Sequence, residues 1–96
     1  MLSVDEIKKV IIDISKKYGV KKVILFGSYA RGDENTNSDI DLRIDKGEIK
    51  GLFELSGYRL DLEERLSVKV DVLTTESLSP DFLEGIKGEE IIIYEK

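Results

Sequence analysis

The chain of 96 residues contains neither cysteine nor histidine. Without thiols it can form no disulfide and cannot use a cysteine nucleophile. Without imidazoles it lacks the base of a Ser-His-Asp arrangement, and it lacks the usual ligands of a zinc site. Any bound metal must therefore be a hard, oxygen-preferring ion such as Mg²⁺. Any general base must be a carboxylate, a lysine or a tyrosine.

Positive charge is also scarce, with 15 basic against 20 acidic residues and a formal net charge of −5. A general nucleic-acid binder needs a basic stripe that displaces counterions, so we expect no direct nucleic-acid binding. No apolar run reaches membrane-spanning length and no segment resembles a signal peptide, so we expect a cytoplasmic protein that does not contact membranes. The length predicts a single domain over residues 1–96, without a separate acceptor-binding domain.

Periodic apolar positions predict the order helix, strand, short helix, strand, helix, strand, short helix, strand. The elements cover residues 2–18, 21–26, 29–31, 39–45, 49–66, 68–73, 80–87 and 89–94. The first helix carries a capping box of Ser3 and Glu6, a hydrophobic staple of Leu2 with Ile7, and a stop at Gly19. This order predicts an α+β, two-layer fold, with a mixed sheet of about four strands and helices packed on one face.

Core positions follow from the same patterns. In the helix of residues 49–66 we expect an apolar stripe of Leu52, Phe53, Leu55, Leu62 and Leu66. Tyr29 and Tyr58 have the ring area to stack on a nucleobase, but core packing is the favoured prediction for both. Ser79 and Pro80 are typical of the cap and first position of a helix.

The strand at residues 39–45 alternates strictly between polar and apolar residues. Residues two apart on a strand lie ~6.6–6.8 Å apart at Cα and project the same way, so Asp39 and Asp41 can converge on one cation. Asp71, on the polar face of the next predicted strand, is the candidate third ligand. An isolated Asp-x-Asp pair, or Asp71 alone, is more typical of ordinary surface acids, and the combination is what indicates a site.

A Gly-Ser turn precedes this strand at close range. Gly27 lets backbone approach a ligand without a Cβ in the way. Ser28 offers a hydroxyl, and the following amides can point at an anion. The alternative is a plain turn with Ser28 capping a short helix. The segment is not a Walker A loop, because Asp33 follows Gly32 where a lysine would be needed.

Together these motifs resemble the minimal nucleotidyltransferases (MNT proteins) of the DNA polymerase β-like superfamily. The matching sequence motifs are Gly-Ser-Tyr-Ala-Arg-Gly from Gly27, Ser-Asp-Ile-Asp-Leu from Ser38, and the distant Asp71. The resemblance implies that Gly27 and Ser28 contact the triphosphate of ATP. It also implies that Asp39, Asp41 and Asp71 are catalytic and hold Mg²⁺, as two ions, with Asp71 helping to activate the acceptor hydroxyl.

MNT proteins act as antitoxins of HEPN ribonuclease toxins, and some add AMP to a toxin tyrosine. The resemblance therefore implies a Mg²⁺-dependent protein adenylyltransferase in a type VII-like toxin–antitoxin pair. Two alternatives remain: an antitoxin that neutralises its HEPN partner by binding alone, and a nucleotidyltransferase acting on a small molecule. A separate hypothesis concerns Arg43, which either contacts phosphate, orients a metal-binding carboxylate, or forms a surface ion pair with Asp45 or Asp71.

Overall fold

The computed structural model describes residues 3–96, which form four helices and four strands. The helices are α1 (Val4–Tyr18), α2 (Ser28–Arg31), α3 (Gly51–Leu66) and α4 (Pro80–Ile86). The strands are β1 (Lys22–Phe26), β2 (Ile40–Asp45), β3 (Val70–Thr74) and β4 (Ile91–Glu95). Short 3₁₀ turns cover Thr75–Ser77 and Lys87–Glu89. The predicted order of elements is confirmed, with shifts of a few residues at their ends.

The four strands form one mixed sheet in the order β3-β2-β1-β4. The central strand β1 runs antiparallel to both neighbours, whereas β2 and β3 are parallel. A parallel pair needs a crossover connection, and α3 provides it. The prediction of a mixed four-stranded sheet is therefore confirmed, and the crossover brings the starts of β2 and β3 to the same end of the sheet.

Helix α1 is specified by its termini as the sequence predicts. The Glu6 amide donates to Ser3 Oγ at 3.1 Å, and the Glu6 carboxylate accepts from the Ser3 amide, which completes the capping box. Gly19 ends the helix in the left-handed region, at φ 72°. The predicted staple of Leu2 with Ile7 lies outside the described residues.

Helices α1 and α3 pack together over one face of the sheet, where most of the core lies. The Ser15 and Tyr58 hydroxyls, both fully buried, lie 2.7 Å apart and form a hydrogen bond. Tyr29 is buried as well, so core packing is confirmed for both tyrosines. The apolar core side chains include Ile7, Ile11, Ile14, Val23, Leu25, Ile40, Leu42, Ile44, Leu62, Leu66 and Val70.

The predicted core of α3 is partly wrong. Leu62 and Leu66 are buried, but Leu52 and Phe53 are 80% and 95% exposed. The buried stripe runs through Leu55, Tyr58, Leu62 and Leu66 at helical spacing, and Leu52 and Phe53 fall outside it. An apolar residue in a first helical turn is buried only where the helix lies over the sheet.

The second face of the sheet is partly covered by α4. Phe82 of α4 packs edge to face against Phe26, with ring centroids 5.9 Å apart. The predicted start of α4 is confirmed, because Ser79 caps it and Pro80 occupies its first turn. Strand β4 begins at Ile91 rather than residue 89, since the chain first forms the 3₁₀ turn Lys87–Glu89. Among the helices described, none is both long and apolar enough to cross a membrane.

Candidate active site

Two acids lie side by side where β2 and β3 begin. Asp41 and Asp71 are direct partners in the parallel register, on strands spaced about 4.8 Å apart. Asp39 immediately precedes β2, and its carboxylate lies 4.0 Å from the Lys69 ammonium. The fold thus brings the three predicted site aspartates to one end of the sheet, and it adds a lysine beside them.

The carboxyl group of Asp41 has a raised pKa. Burial raises its pKa to about 6, and the negative charges of Asp71, Asp39 and Glu89 contribute in the same direction. The positive charge of Arg31 opposes the shift. Ionised Asp41 is therefore held in a position where a nearby cation would relieve repulsion from its neighbours.

The Gly-Ser turn lies against the same carboxylate. Phe26, the last residue of β1, is the register partner of Asp41, so Gly27 emerges at the acidic end of the sheet. Gly27 has φ 79°, and a Cβ at this position would overlap the Asp41 carboxylate. Both the backbone conformation and the space require glycine. The predicted capping role of Ser28 is wrong, because Gly27 is the N-cap and Ser28 is the first helical residue.

The donor set fits a hard divalent cation. Asp39, Asp41 and Asp71 supply only carboxylate oxygens, which Mg²⁺ prefers, and the repulsion acting on Asp41 would be relieved by such an ion. Within residues 3–96, no three acidic side chains already surround a single point as metal ligands. One or two carboxylates together with phosphate oxygens and water are the usual ligands of Mg²⁺, so the site fits an ion that the nucleotide would help to hold.

Space for a substrate lies next to Asp39. A cavity of about 570 Å³ opens there, between the loop preceding β2 and the turn joining α3 to β3. Its lining residues are Tyr29, Thr36, Asn37, Ser38, Asp39, Leu66, Ser67, Val68 and Lys69. Of the predicted site residues, Asp39 lines this cavity, whereas Gly27, Ser28, Asp41 and Asp71 do not.

Arg43 lies on the same face of β2 as Asp41, but its partners differ from those expected. Its Nε and Nη2 atoms contact Glu90 Oε2 at 2.8 and 2.7 Å, and Nη1 donates to Thr75 Oγ1 at 3.0 Å. The expected ion pair with Asp45 or Asp71 is therefore wrong. The long side chain instead reaches Glu90 at the start of the β4 segment, and only 14% of the Arg43 side chain stays exposed.

Glu89 was not anticipated as part of this site. Its Oε2 atom accepts from the Gly27 amide at 2.5 Å and from Arg31 Nη1 at 3.0 Å. Arg31 also donates to Asp33 at 3.1 Å. In the sequence, Glu89 and Glu90 directly precede the apolar run of β4, and nothing in that position distinguishes them from ordinary surface acids. Only the tertiary fold shows which cations they meet.

Fold and site together define a nucleotidyltransferase. Residues 9–96 match the family described as "Polymerase beta, Nucleotidyltransferase", and the chain belongs to that family. A Methanocaldococcus jannaschii relative bearing the provisional name protein adenylyltransferase is 42% identical over 90 residues, which are 94% of this chain and 97% of the relative.

Solved structures agree with this assignment. A structure described as a minimal nucleotidyltransferase has a TM-score of 0.80 and 28% identity, covering 94% of this chain and 95% of that one. A toxin–antitoxin complex with AMP-PNP gives a TM-score of 0.79 at 21% identity, covering 93% and 73%. A tri-AMPylated Shewanella oneidensis HEPN toxin in complex with its MNT antitoxin gives 0.72 at 16%, covering 99% and 74%. At these last two identities the likeness shows the fold.

Proposed function

We propose that this chain is a one-domain, Mg²⁺-dependent protein adenylyltransferase that transfers AMP from ATP to a tyrosine of a HEPN ribonuclease and thereby acts as its antitoxin. The observation that carries the proposal is the adjacency of Asp41, Asp71 and Gly27 at one end of the sheet. The name of the M. jannaschii relative and the AMPylated state of the S. oneidensis toxin support the choice of reaction and acceptor.

Each part of the site has a distinct task in this reaction. Gly27 and Ser28 hold the triphosphate through backbone amides and a hydroxyl. Asp39, Asp41 and Asp71 would hold Mg²⁺, which supplies charge neutralisation and polarises the phosphate oxygens when bound. The tyrosine oxygen attacks the α-phosphorus of ATP, a new O–P bond forms, and the bond to pyrophosphate breaks. The tyrosine proton passes to a carboxylate, for which Asp71 is the candidate.

Arg43 has a more restricted role in this scheme than direct contact with substrate. Its guanidinium already engages Glu90 and Thr75, so contact with a phosphate would require it to leave both. We therefore favour the hypothesis that Arg43 supports the shape of the strand face that carries Asp41. Its contribution then lies in geometry rather than in transition-state charge.

The direct test uses the purified chain with Mg²⁺, ATP labelled at the α-phosphate and the HEPN protein encoded beside it. Label should appear on a tyrosine of the HEPN protein, and it should disappear with an Asp39→Ala/Asp41→Ala variant. ATP labelled at the γ-phosphate is the matched control and should leave no label. Transfer that is absent, or equal for wild type and variant, would contradict the proposal.

A second candidate function is neutralisation by binding. Leu52 and Phe53 present an exposed apolar surface on α3 that the fold itself does not use, and the structural neighbours include complexes with HEPN toxins. In cells producing the toxin, growth with Asp39→Ala/Asp41→Ala and growth arrest with Leu52→Ser/Phe53→Ser would favour this function. The reverse pattern would favour catalysis.

A further inference from the structure

The donors of the Gly-Ser turn already have an anionic partner from within the chain. Glu89 Oε2 takes the Gly27 amide and the Arg31 guanidinium at once. Both are groups that a phosphate oxygen also seeks, because a carboxylate and a phosphate present similar anionic acceptors to N–H donors. Glu89 therefore satisfies the same donors that a phosphate oxygen would need at this turn.

Glu89 also adds negative charge at the place where a triphosphate would bind. Asp39, Asp41 and Asp71 already place three acids at this end of the sheet, and Glu89 adds a fourth. Arg31 is the cation near Asp41, and it is shared between Asp33 and Glu89. Displacement of Glu89 would free one backbone donor and part of one guanidinium for an incoming anion, and it would remove a repelling charge.

The neighbouring glutamate shows why Glu89 can move while the strand stays in place. Glu90 is fixed by two contacts to Arg43, with both side chains at least four-fifths buried. Glu89 is paired with Arg31, and their side chains are 48% (Arg31) and 22% (Glu89) exposed, so this ion pair is more solvated than that of Arg43 with Glu90 and weaker. Rotation of the Glu89 side chain would free the turn, while the contacts of Glu90 with Arg43 hold the start of β4.

We propose that Glu89 is an internal competitor of the nucleotide: it covers the Gly27 amide and Arg31 in the free protein and must leave before the β- and γ-phosphates of ATP can bind there. The inference rests on the proposed function, since it assumes that the Gly-Ser turn receives the triphosphate. It adds an autoinhibitory contact that sets nucleotide affinity. A partner that drew Glu89 away would raise that affinity.

The test measures the affinity of Mg²⁺·ATP for wild type and Glu89→Gln by calorimetry, without an acceptor protein. Glutamine keeps the size of the side chain and a carbonyl acceptor but loses the charge, so the variant should bind ATP about fivefold more tightly or better. Inorganic triphosphate with Mg²⁺ should show the same gain. AMP, which lacks the β- and γ-phosphates, should show none.

Glu84→Gln is the matched control, because it removes the same charge from an exposed position on α4 without touching the turn. It should leave ATP affinity unchanged. Weaker or unchanged ATP binding by Glu89→Gln, or an equal gain for AMP, would overturn the competitor role. If neither the wild type nor Glu89→Gln binds ATP, the proposed function fails as well; ATP binding by the wild type without a gain in the variant defeats this inference alone.

Discussion

The two faces of β2 carry different kinds of residue. On one face Ile40, Leu42 and Ile44 are fully buried beneath the helices. On the other, Asp41, Arg43 and Asp45 stay partly exposed, and Arg43 forms an ion pair with Glu90. Strand alternation places the core residues on one face and the proposed site residues on the other, so we expect that each set can be altered separately.

The polar face of β2 is electrostatically less favourable than the apolar face. Asp41 has a raised pKa because it is partly buried among other acids, which is unfavourable for its charged form. The apolar face offsets such a cost through burial. Substitutions on each face should therefore separate activity from stability.

The largest effect should come from Asp41→Asn. We expect transfer of AMP to fall at least about a hundredfold, because a group that would position Mg²⁺ is lost together with several kcal/mol of transition-state stabilisation. Asp45→Asn, on the same face at the far end of β2, is the control and should keep most of the activity. The measurement is turnover with labelled ATP; equal losses in both variants would contradict the assignment.

Leu42→Ala tests the buried face at the neighbouring position. Truncation of a fully buried leucine should lower the free energy of unfolding by about 2–5 kcal/mol. Ile92→Ala on β4 is a matched truncation at a position that is 54% exposed, and it should cost clearly less. Urea unfolding measures both; a loss for Leu42→Ala no larger than for Ile92→Ala would show that the faces do not differ as described.

Arg43→Ala tests whether one residue of β2 contributes to both stability and activity. Loss of the guanidinium leaves Glu90 without its ion-pair partner in a mostly buried place, so we expect destabilisation of about 1–3 kcal/mol. If Arg43 supports the active face, turnover should also fall, while ATP affinity changes little. Unchanged ATP affinity and unchanged turnover would reduce Arg43 to a purely structural residue.

The smallest effect is a pH dependence of stability in the presence of EDTA. The Asp41 pKa is about 6 in the folded protein, above its usual 3.8, so the folded state holds this proton more tightly than the unfolded state. Its contribution to stability is complete below pH ~4 and is lost as the pH rises through about 6. Because the carboxyl is partly exposed and screened, we expect about 1 kcal/mol. Asp41→Asn should flatten this part of a plot of Tm against pH, and a plot of unchanged slope would contradict the assignment.

Local signals allowed much of the fold to be predicted from the sequence. The cap at Ser3 and Glu6, the stop at Gly19 and the alternation of β2 depend on residues close in sequence, and all are found in the structure. Asp71 could be placed beside Asp41 because β2 and β3 carry acids on matching faces. The caps and the alternation need no knowledge of distant contacts, whereas the place of Asp71 also depends on the pairing of β3 with β2.

The contacts that sequence reasoning missed are long-range. Nothing near Glu89 indicates that it meets Gly27, and nothing near Arg43 indicates Glu90, because both contacts depend on where the β4 segment enters the sheet. The exposure of Phe53 has the same origin, since it depends on how far α3 extends beyond the core. The partners of charged side chains are therefore the least predictable part of this site.

The parallel pairing of β2 with β3 has a consequence for folding. Asp41 and Asp71 become neighbours only after α3 has crossed over the sheet and β3 has joined its edge. Such non-local pairings form slowly, because the entropy of closing a long loop is lost before the contacts that offset it are made. During synthesis the chain must leave the ribosome through the end of β3 at Thr74 before the acids can meet, so a copy truncated before β3 cannot assemble the acidic end of the sheet.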